Sequence, residues 1–133
     1  MVLNLDEVKA YLLSKPEALE DYPFGEQAAV FKVAGKIFAL CFFQKSASPG
    51  SQLRVNLKCD PDQAFILRDI FDAIIPGYHM NKKHWNTVIL DGTIPSGEIE
   101  RMIDHSYGLV VRGLTKKQRT LLEVVYGPET LYR

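Results

Sequence analysis

The sequence predicts an α+β fold, a two-layer sandwich in which helices cover one face of a mainly antiparallel sheet. Three strand-like segments follow one another in the first half of the chain, joined by turn-forming stretches, and such connections favour antiparallel pairing. Segments with a helical period lie outside this run of strands and provide the second layer. The predicted element order is α-β-β-β-α-β-α-α, and 133 residues suit a single domain, residues 1–133.

The chain begins with a predicted helix over residues 5–15. Asn4 and Glu7 have the spacing of a capping box, in which each side chain accepts a hydrogen bond from the backbone of the other residue. Pro16 ends the helical pattern because proline lacks a backbone donor. The stretch 16–26 contains four acids and turn-forming residues, which predicts a structured surface loop.

Three strands are predicted over residues 28–33, 36–43 and 53–58. Ala34-Gly35 joins the first two as a tight hairpin, and residues 44–52 form a loop of small, turn-forming residues before the third. Apolar and polar residues alternate in the third strand, which predicts one buried face and one wet face. The buried side is Leu53, Val55 and Leu57, and the wet side is Arg54, Asn56 and Lys58.

The second half of the chain is predicted to hold three helices and one strand. Asp60 caps a helix that runs to about residue 75, and a strand over 85–90 follows after a loop. Ser96 caps the next helix, and Thr115 opens the last one with a second capping box. These segments complete the predicted order.

Hydropathy and the N-terminal residues favour a cytoplasmic location. No apolar run approaches the roughly 18 residues that cross a bilayer. The first residues carry acids and an amide instead of the basic segment and apolar core of a signal peptide. We therefore expect a cytoplasmic protein without a membrane partner.

Charge is unevenly distributed along the chain, although the formal net charge is zero. Residues 1–26 carry six acids and two bases, whereas residues 27–58 carry five bases and no acid. A sheet face without helices would then present a positive surface suited to a polyanion. Alternatively, these bases only protect strand edges from aggregation. The five bases are Lys32, Lys36, Lys45, Arg54 and Lys58.

The sequence contains no recognisable catalytic or metal-binding arrangement. Cys41 and Cys59 do not form a Cys-x-x-Cys pair, and His79 and His84 lie five residues apart, which matches no helical zinc pair. Cys41 lies in an apolar strand, where a cysteine is usually a small buried hydrophobe. We expect His105 to be a hydrogen-bonded structural residue. The protein is therefore predicted not to be an enzyme and to need no metal or cofactor.

The loop before the fourth predicted strand is a candidate contact site. Residues 81–85 combine two lysines, a histidine, an amide and the only tryptophan of the chain. Lysines can contact phosphates while an aromatic ring stacks on a base or anchors a partner. Alternatively, Trp85 is a core residue at the start of the strand.

Four segments of the chain carry a family resemblance: DYPFG at 21–25, VFKVAGKIFAL at 30–40, HMNKKHW at 79–85 and DHSY at 104–107. In this order they resemble the MmcQ/YjbR family over about residues 5–112. Residues 114–133 would form a C-terminal helical extension beyond this shared core.

The resemblance implies a fold and a partner. The fold is a small cytoplasmic α+β domain, similar to type III secretion chaperones, and the family is usually described as DNA-binding through a pair of winged β elements. On this sequence the wings would be the turn at Gly35-Lys36 and the loop from Lys45 to Arg54, with residues 81–85 close by.

Two functions follow as hypotheses. The first is a DNA-binding module with little sequence specificity, which contacts the phosphate backbone through a basic sheet face and winged loops. The alternative is a protein- or peptide-binding, chaperone-like module that uses the same sheet face. The predicted nucleic-acid contacts are Lys32, Lys36, Lys45, Arg54, Lys58, Asn81, Lys82, Lys83, His84 and Trp85.

Overall fold

The computed structural model describes residues 4–45, 51–78 and 80–133, with the backbone alone at 44–45 and 51–52. Its elements are α1 (Leu5–Leu13), β1 (Leu19–Asp21), β2 (Ala28–Val33), β3 (Lys36–Lys45), β4 (Ser51–Lys58), α2 (Pro61–Ile70), β5 (Ile74–Pro76), β6 (Trp85–Ile89), α3 (Ser96–Arg112), α4 (Lys116–Tyr126) and α5 (Pro128–Leu131). The strands form one sheet in the order β1-β2-β3-β4-β6-β5, and every neighbouring pair is antiparallel. The predicted α+β fold is confirmed.

Three short elements add to the predicted order, namely β1, β5 and α5. The prediction that the second helix runs to about residue 75 is wrong, because α2 ends at Ile70 and Phe71 has extended backbone angles, φ −117° and ψ 118°. Ile74 and Ile75 then pair with β6, as their branched side chains favour. Two of the added elements, β1 and β5, are the edge strands of the sheet.

The local signals at the β2–β3 turn and at most helix starts are confirmed, whereas α1 ends at Leu13 and not at the predicted residue 15. The two residues of the β2–β3 turn, Ala34 and Gly35, have positive φ angles of 49° and 80°, as a type I′ hairpin requires. Both capping boxes form, and Asp60 caps α2. Ser96 is the exception, since Pro95 is the N-cap of α3 and Ser96 is its first helical residue.

The hydrophobic core lies between α3 and the centre of the sheet. Helix α3 packs across β2, β3 and β4, and its fully buried Tyr107 meets Phe38 edge to face, with ring centroids 5.2 Å apart. The Tyr107 hydroxyl donates to the Pro16 carbonyl at 2.7 Å. The other helices add side chains to the same cluster, so all of them lie on one face of the sheet. None of the helices in the described ranges is long and apolar enough to span a membrane.

A buried ion pair fixes the end of α1 to α3. Lys15 is only 6% exposed and pairs with Asp104, whose carboxylate also accepts a hydrogen bond from the Tyr11 hydroxyl at 2.7 Å. Removing one partner of such a pair leaves a buried charge uncompensated, which is far more costly than the pair itself is stabilising. The pair therefore sets the position of α1 more than it adds to stability.

Ser106 bridges two strands beneath α3. Strand β3 has a bulge at Phe38, which has no partner residue in β2. The Ser106 hydroxyl donates to the Phe38 carbonyl at 2.6 Å. The same oxygen accepts the Lys58 N–H at 2.8 Å. Beside it, the Asp60 N–H donates to Nε2 of His105 at 3.3 Å, and burial lowers the pKa of that imidazole. The predicted hydrogen-bonded role of His105 is confirmed.

Replacing Ser106 by alanine should lower the free energy of unfolding by about 2–3 kcal/mol, because a buried carbonyl and a buried amide lose their common partner. Urea denaturation measures this loss. Thr120→Ala is the control, since Thr120 is exposed on α4 and alanine is the better helix former. Equal losses in the two variants would contradict the bridging role.

Candidate functional site

The face of the sheet that carries no helix is here called the outer face. It is formed by alternate residues of β2, β3, β4 and β6, as the ladder registers show. The predicted register of β4 is confirmed, because its apolar set, Leu53, Val55 and Leu57, is buried in the core. The residues of the outer face are Ala28, Val30, Lys32, Ile37, Leu40, Phe42, Arg54, Asn56, Lys58, Trp85, Thr87 and Ile89.

The centre of the outer face is apolar, a feature that the predicted positive surface did not include. A groove of about 710 Å³ crosses β2 and β3, and Phe24 at its edge is 70% exposed. We call it the outer groove. Its lining residues are Phe24, Gln27, Ala28, Ile37, Leu40, Phe42, Phe43, Asn56, Tyr78 and Met80.

Asn56 points to the outer face as predicted, but it is buried and not wet. Its Nδ2 donates to the Tyr78 carbonyl at 2.9 Å, and the Tyr78 N–H donates to the Thr87 hydroxyl at 2.8 Å. Thr87 in turn donates to Oδ1 of Asn56 at 2.5 Å. This closed set of bonds holds Tyr78 over β4 and β6, where its ring stacks on Phe42 with centroids 5.9 Å apart. The segment around Tyr78 therefore forms one wall of the outer groove.

Gly77 allows this segment to pass close to β6. Its N–H donates to the Trp85 carbonyl at 2.9 Å. A Cβ atom on Gly77 would lie 2.7 Å from Cβ and 2.9 Å from the carbonyl oxygen of Trp85. Any other residue would push the wall of the groove away from the sheet.

Part of the predicted contact set comes together at one end of the outer face. Lys58 lies opposite Trp85 in the β4–β6 ladder, and both are half-buried. Lys82 and Lys83 are exposed in the turn before β6, where Oδ1 of Asn81 accepts the Lys83 N–H at 2.9 Å. We call Lys58, Lys82 and Lys83 the lysine cluster. Met80, which lines the outer groove, immediately precedes this turn.

The other predicted contacts lie elsewhere or differ from expectation. Lys32 is paired with Asp21 at 3.2 Å, an interaction that lowers the pKa of the Asp21 carboxyl. Lys36 is exposed at the two-residue β2–β3 turn, as the first residue of β3, the strand that pairs with β4. His84 is half-buried, and its carbonyl accepts the Cys59 N–H at 2.8 Å.

The second predicted wing, the loop from Lys45 to Arg54, falls partly outside the described residues, which exclude 46–50. The backbone of Lys45 lies opposite Ser51 where β3 and β4 separate. Arg54 is half-buried on the outer face, opposite Phe42. The first wing, at Gly35-Lys36, is a tight turn and not a long loop.

Arg68 of α2 supports the turn from behind and escaped the sequence analysis. Its Nε donates to Oδ1 of Asn86 at 2.7 Å, and its terminal nitrogen donates to the carbonyls of Trp85, at 3.2 Å, and Lys82. The signal in the sequence that could have indicated this role is a single arginine on the inward, otherwise apolar face of α2. The planar guanidinium can hold several acceptors at once, so it fixes the backbone that carries the lysine cluster.

A second cleft, of about 650 Å³, lies on the helix side of the sheet next to α1. Its lysine is already engaged: Lys9 contacts Glu20 at 3.0 Å and donates to the Tyr22 hydroxyl at 2.7 Å. Hydrogen bonding to Tyr22 raises the pKa of Lys9 and lowers the pKa of Glu20. The only base among the described residues that line this cleft is therefore already engaged, which leaves the outer groove as the better candidate site.

Neither cysteine is activated for chemistry. Cys41 and Cys59 are both buried, and burial raises the pKa of the Cys41 thiol to about 12 and that of Cys59 to about 11. A protonated thiol is a poor nucleophile. Within residues 4–45, 51–78 and 80–133, no three histidine, cysteine, aspartate or glutamate residues are grouped so that they could hold a metal ion.

Comparison with known proteins identifies the family. The family model YjbR matches residues 13–109. The chain belongs to the YjbR family. The resemblance noted from the sequence is therefore confirmed.

YjbR-family relatives of this chain include two Escherichia coli proteins. One is the uncharacterized protein YbdF of strain O157:H7, 40% identical over 102 residues, which are 74% of this chain and 76% of YbdF. The other is the uncharacterized protein YjbR of strain K12, 32% identical over 120 residues, 90% of this chain and 98% of YjbR.

Solved structures show the same fold. A Deinococcus radiodurans protein with a DUF419 domain has a TM-score of 0.80 and 36% identity, covering 91% of this chain and 88% of its own. A Pseudomonas syringae protein has a TM-score of 0.71 and 31% identity, and the match covers 80% of this chain and 98% of that protein.

Gly77→Ala should lower the free energy of unfolding by about 1–3 kcal/mol, because the added methyl group overpacks against Trp85. The fluorescence of Trp85, the only tryptophan, should also change as the wall of the groove moves. Gly97→Ala is the matched control: a Cβ there meets open space in α3, and the change should stabilise the protein by up to about 1 kcal/mol. The same stability for both variants would show that the wall is not tightly packed.

Proposed function

We propose that this YjbR-family protein binds an acidic, amphipathic peptide segment of a partner protein in its outer groove. The observation that supports this proposal is an apolar groove with exposed lysines at one end, on a sheet face that no helix covers. The proposal involves neither a catalysed reaction nor a cofactor.

The size and lining of the outer groove suit apolar side chains. Its volume of about 710 Å³ lies within the usual range of ligand sites. Leu40, Phe42 and Ile37 form its floor, and Phe24 and Tyr78 stand at its sides. Burying one large apolar side chain stabilises a complex by about 1.5–3 kcal/mol before the entropy of binding is subtracted, so two or three anchors would be needed.

Charge favours an acidic flank on the ligand. Lys36 extends from the turn next to Ile37, and Lys82 of the lysine cluster follows Met80 by two residues. At the opposite end the only base on the described part of the outer face is the half-buried Arg54, opposite Phe42, and the exposed acid Glu26 lies beside Gln27. A segment with acids on one side of its apolar anchors would bind in one orientation, since charges at the rim of a site steer encounter and set register.

The edges of the sheet are poor alternatives to its face. Both edge strands, β1 and β5, are three residues long. The last residue of β5 is Pro76, which has no N–H to donate. Strand addition needs a row of free backbone donors and acceptors, so a peptide gains more from the outer groove than from either edge.

DNA is the second candidate partner, and the lysine cluster is the observation that favours it. Two exposed lysines and the half-buried pair of Lys58 and Trp85 gather at one end of the outer face, where they could contact consecutive phosphates. The contact set would be smaller than the ten predicted residues, because Lys32 is neutralised by Asp21 and lies across the sheet. Such a module would bind with little sequence specificity.

Selection of a phage-displayed random peptide library on the immobilised protein should enrich sequences that combine apolar residues with acids. The affinity of an enriched peptide should fall at least about tenfold in Phe24→Ser, because one apolar anchor contact is lost. Phe65→Ser is the control, since Phe65 on α2 is as exposed as Phe24, 74% against 70%, but lies on the helix side. No enrichment, or equal binding by both variants, would refute the peptide proposal.

The salt dependence of the affinity for a random-sequence DNA duplex tests whether the lysine cluster contacts phosphates. If the lysine cluster contacts phosphates, Lys82→Ala with Lys83→Ala should weaken binding equally for all sequences and reduce the log–log salt slope by about 2. Phe24→Ser should leave this binding unchanged. A slope that the double variant does not alter would remove the lysine cluster as a DNA contact.

A further inference from the structure

The outward side of α4 is an apolar stripe. Leu121, Val124 and Val125 are 60%, 78% and 68% exposed, and their spacing places them on one side of the helix. Leu122, on the opposite side, is buried in the core. Side chains this apolar on a helix surface indicate a contact that the single chain does not supply.

Two bases begin α4, and Lys117, four residues before Leu121, lies at the start of the same stripe. Lys116 and Lys117 are exposed in the first turn of α4, which contains no acid. A positive charge at a helix N-terminus opposes the helix dipole and costs a little stability. Helix stability therefore does not explain these lysines, whereas an acidic partner would.

A complementary surface lies on α2. A groove of about 380 Å³ runs along α2 beside α3, with Ile66 and Ile70 on its rim and Leu67 and Phe71 deeper inside. Phe65 extends the exposed apolar area. Three exposed acids lie on α2 or just after it, and the described residues include no ion pair for any of them. These acids are Asp62, Asp69 and Asp72.

The bases near this groove are already engaged. Arg101 pairs with Glu98 at 2.5 Å, and Arg68 is held by Asn86 and the turn before β6. The α2 surface is thus apolar and acidic, while the α4 stripe is apolar and basic. On each helix a charge is followed by apolar residues at intervals of four: Asp62, Ile66, Ile70 and Lys117, Leu121, Val125.

The two surfaces cannot meet within one molecule. Helix α2 packs on β5 and β6, at one edge of the sheet. Helix α4 lies at the other end, where Tyr126 bonds to Glu17, two residues before β1. Any contact between the surfaces therefore requires a second chain.

We propose that the α4 stripe of one copy docks into the α2–α3 groove of a second copy. The contact is head-to-tail, so repetition gives a ring or a chain. The α4 stripe is one face of an eleven-residue helix, so we expect a small contact and a weak, concentration-dependent association. The outer groove takes no part, so this proposal stands independently of the proposed function.

Sedimentation equilibrium at low salt tests the contact with charge-reversed variants. The natural chain should associate with rising concentration, and less so at high salt. Asp62→Lys with Asp69→Lys, or Lys116→Glu with Lys117→Glu, should each weaken self-association at least about tenfold, because like charges then face each other. An equimolar mixture of the two double variants should regain association, since each then offers what the other lacks.

Folding does not confound this design. Glutamates at the start of α4 interact favourably with the dipole of that helix. In α2, a lysine at position 62 is unfavourable for the helix dipole and a lysine at position 69 is favourable. The melting temperature of both double variants should therefore change little. A natural chain that stays monomeric at all concentrations would overturn the proposal. So would a mixture that fails to associate, or self-association that reversal of the α2 acids leaves intact, which would instead indicate a contact of α4 with itself.

Discussion

The contact between α3 and the middle of the sheet is the constraint on which the rest of the structure depends. Tyr107 fills the space above Phe38, and Ser106 satisfies the backbone at the bulge of β3 while holding the end of β4. This arrangement commits every helix to one face, because the buried apolar residues of each helix enter the same core. The outer face is covered only in part, by the segment around Tyr78, and the part left uncovered forms the outer groove.

The segment around Tyr78, which covers part of the outer face, makes polar contacts with the sheet beneath it and presents an aromatic ring to the outer groove. Asn56 and Thr87 pair with the backbone of Tyr78, so burying two polar side chains costs little because their hydrogen bonds are made. The Tyr78 ring then faces Phe42 and closes one side of the outer groove. From the helix layer, Arg68 holds the following turn, which joins the two layers through one side chain. The apolar groove and the lysine cluster are consequently neighbours on one rigid wall.

The formal net charge of zero conceals a division of charge between surfaces. Bases gather beside the outer groove and at the start of α4, whereas acids gather on α2 and in the segment that follows α1. Each group lies next to exposed apolar side chains. Charges near apolar contacts add specificity and steering more than affinity, so the two contacts that we propose would be selective and weak.

The sequence by itself determined the α+β class, the tight β2–β3 turn, both capping boxes and the inward set of β4, because each depends on residues close together in the chain. Its motifs also determined the family. Only the tertiary structure decided that Asn56 is covered, that Asp21 neutralises Lys32 and that Arg68 supports the lysine cluster. Strands of three residues such as β5 are too short to show a period, and their partners are distant in sequence. The outer groove joins segments around Phe24, Phe42 and Tyr78, and contacts at that separation leave no local pattern because packing, and not periodicity, brings them together.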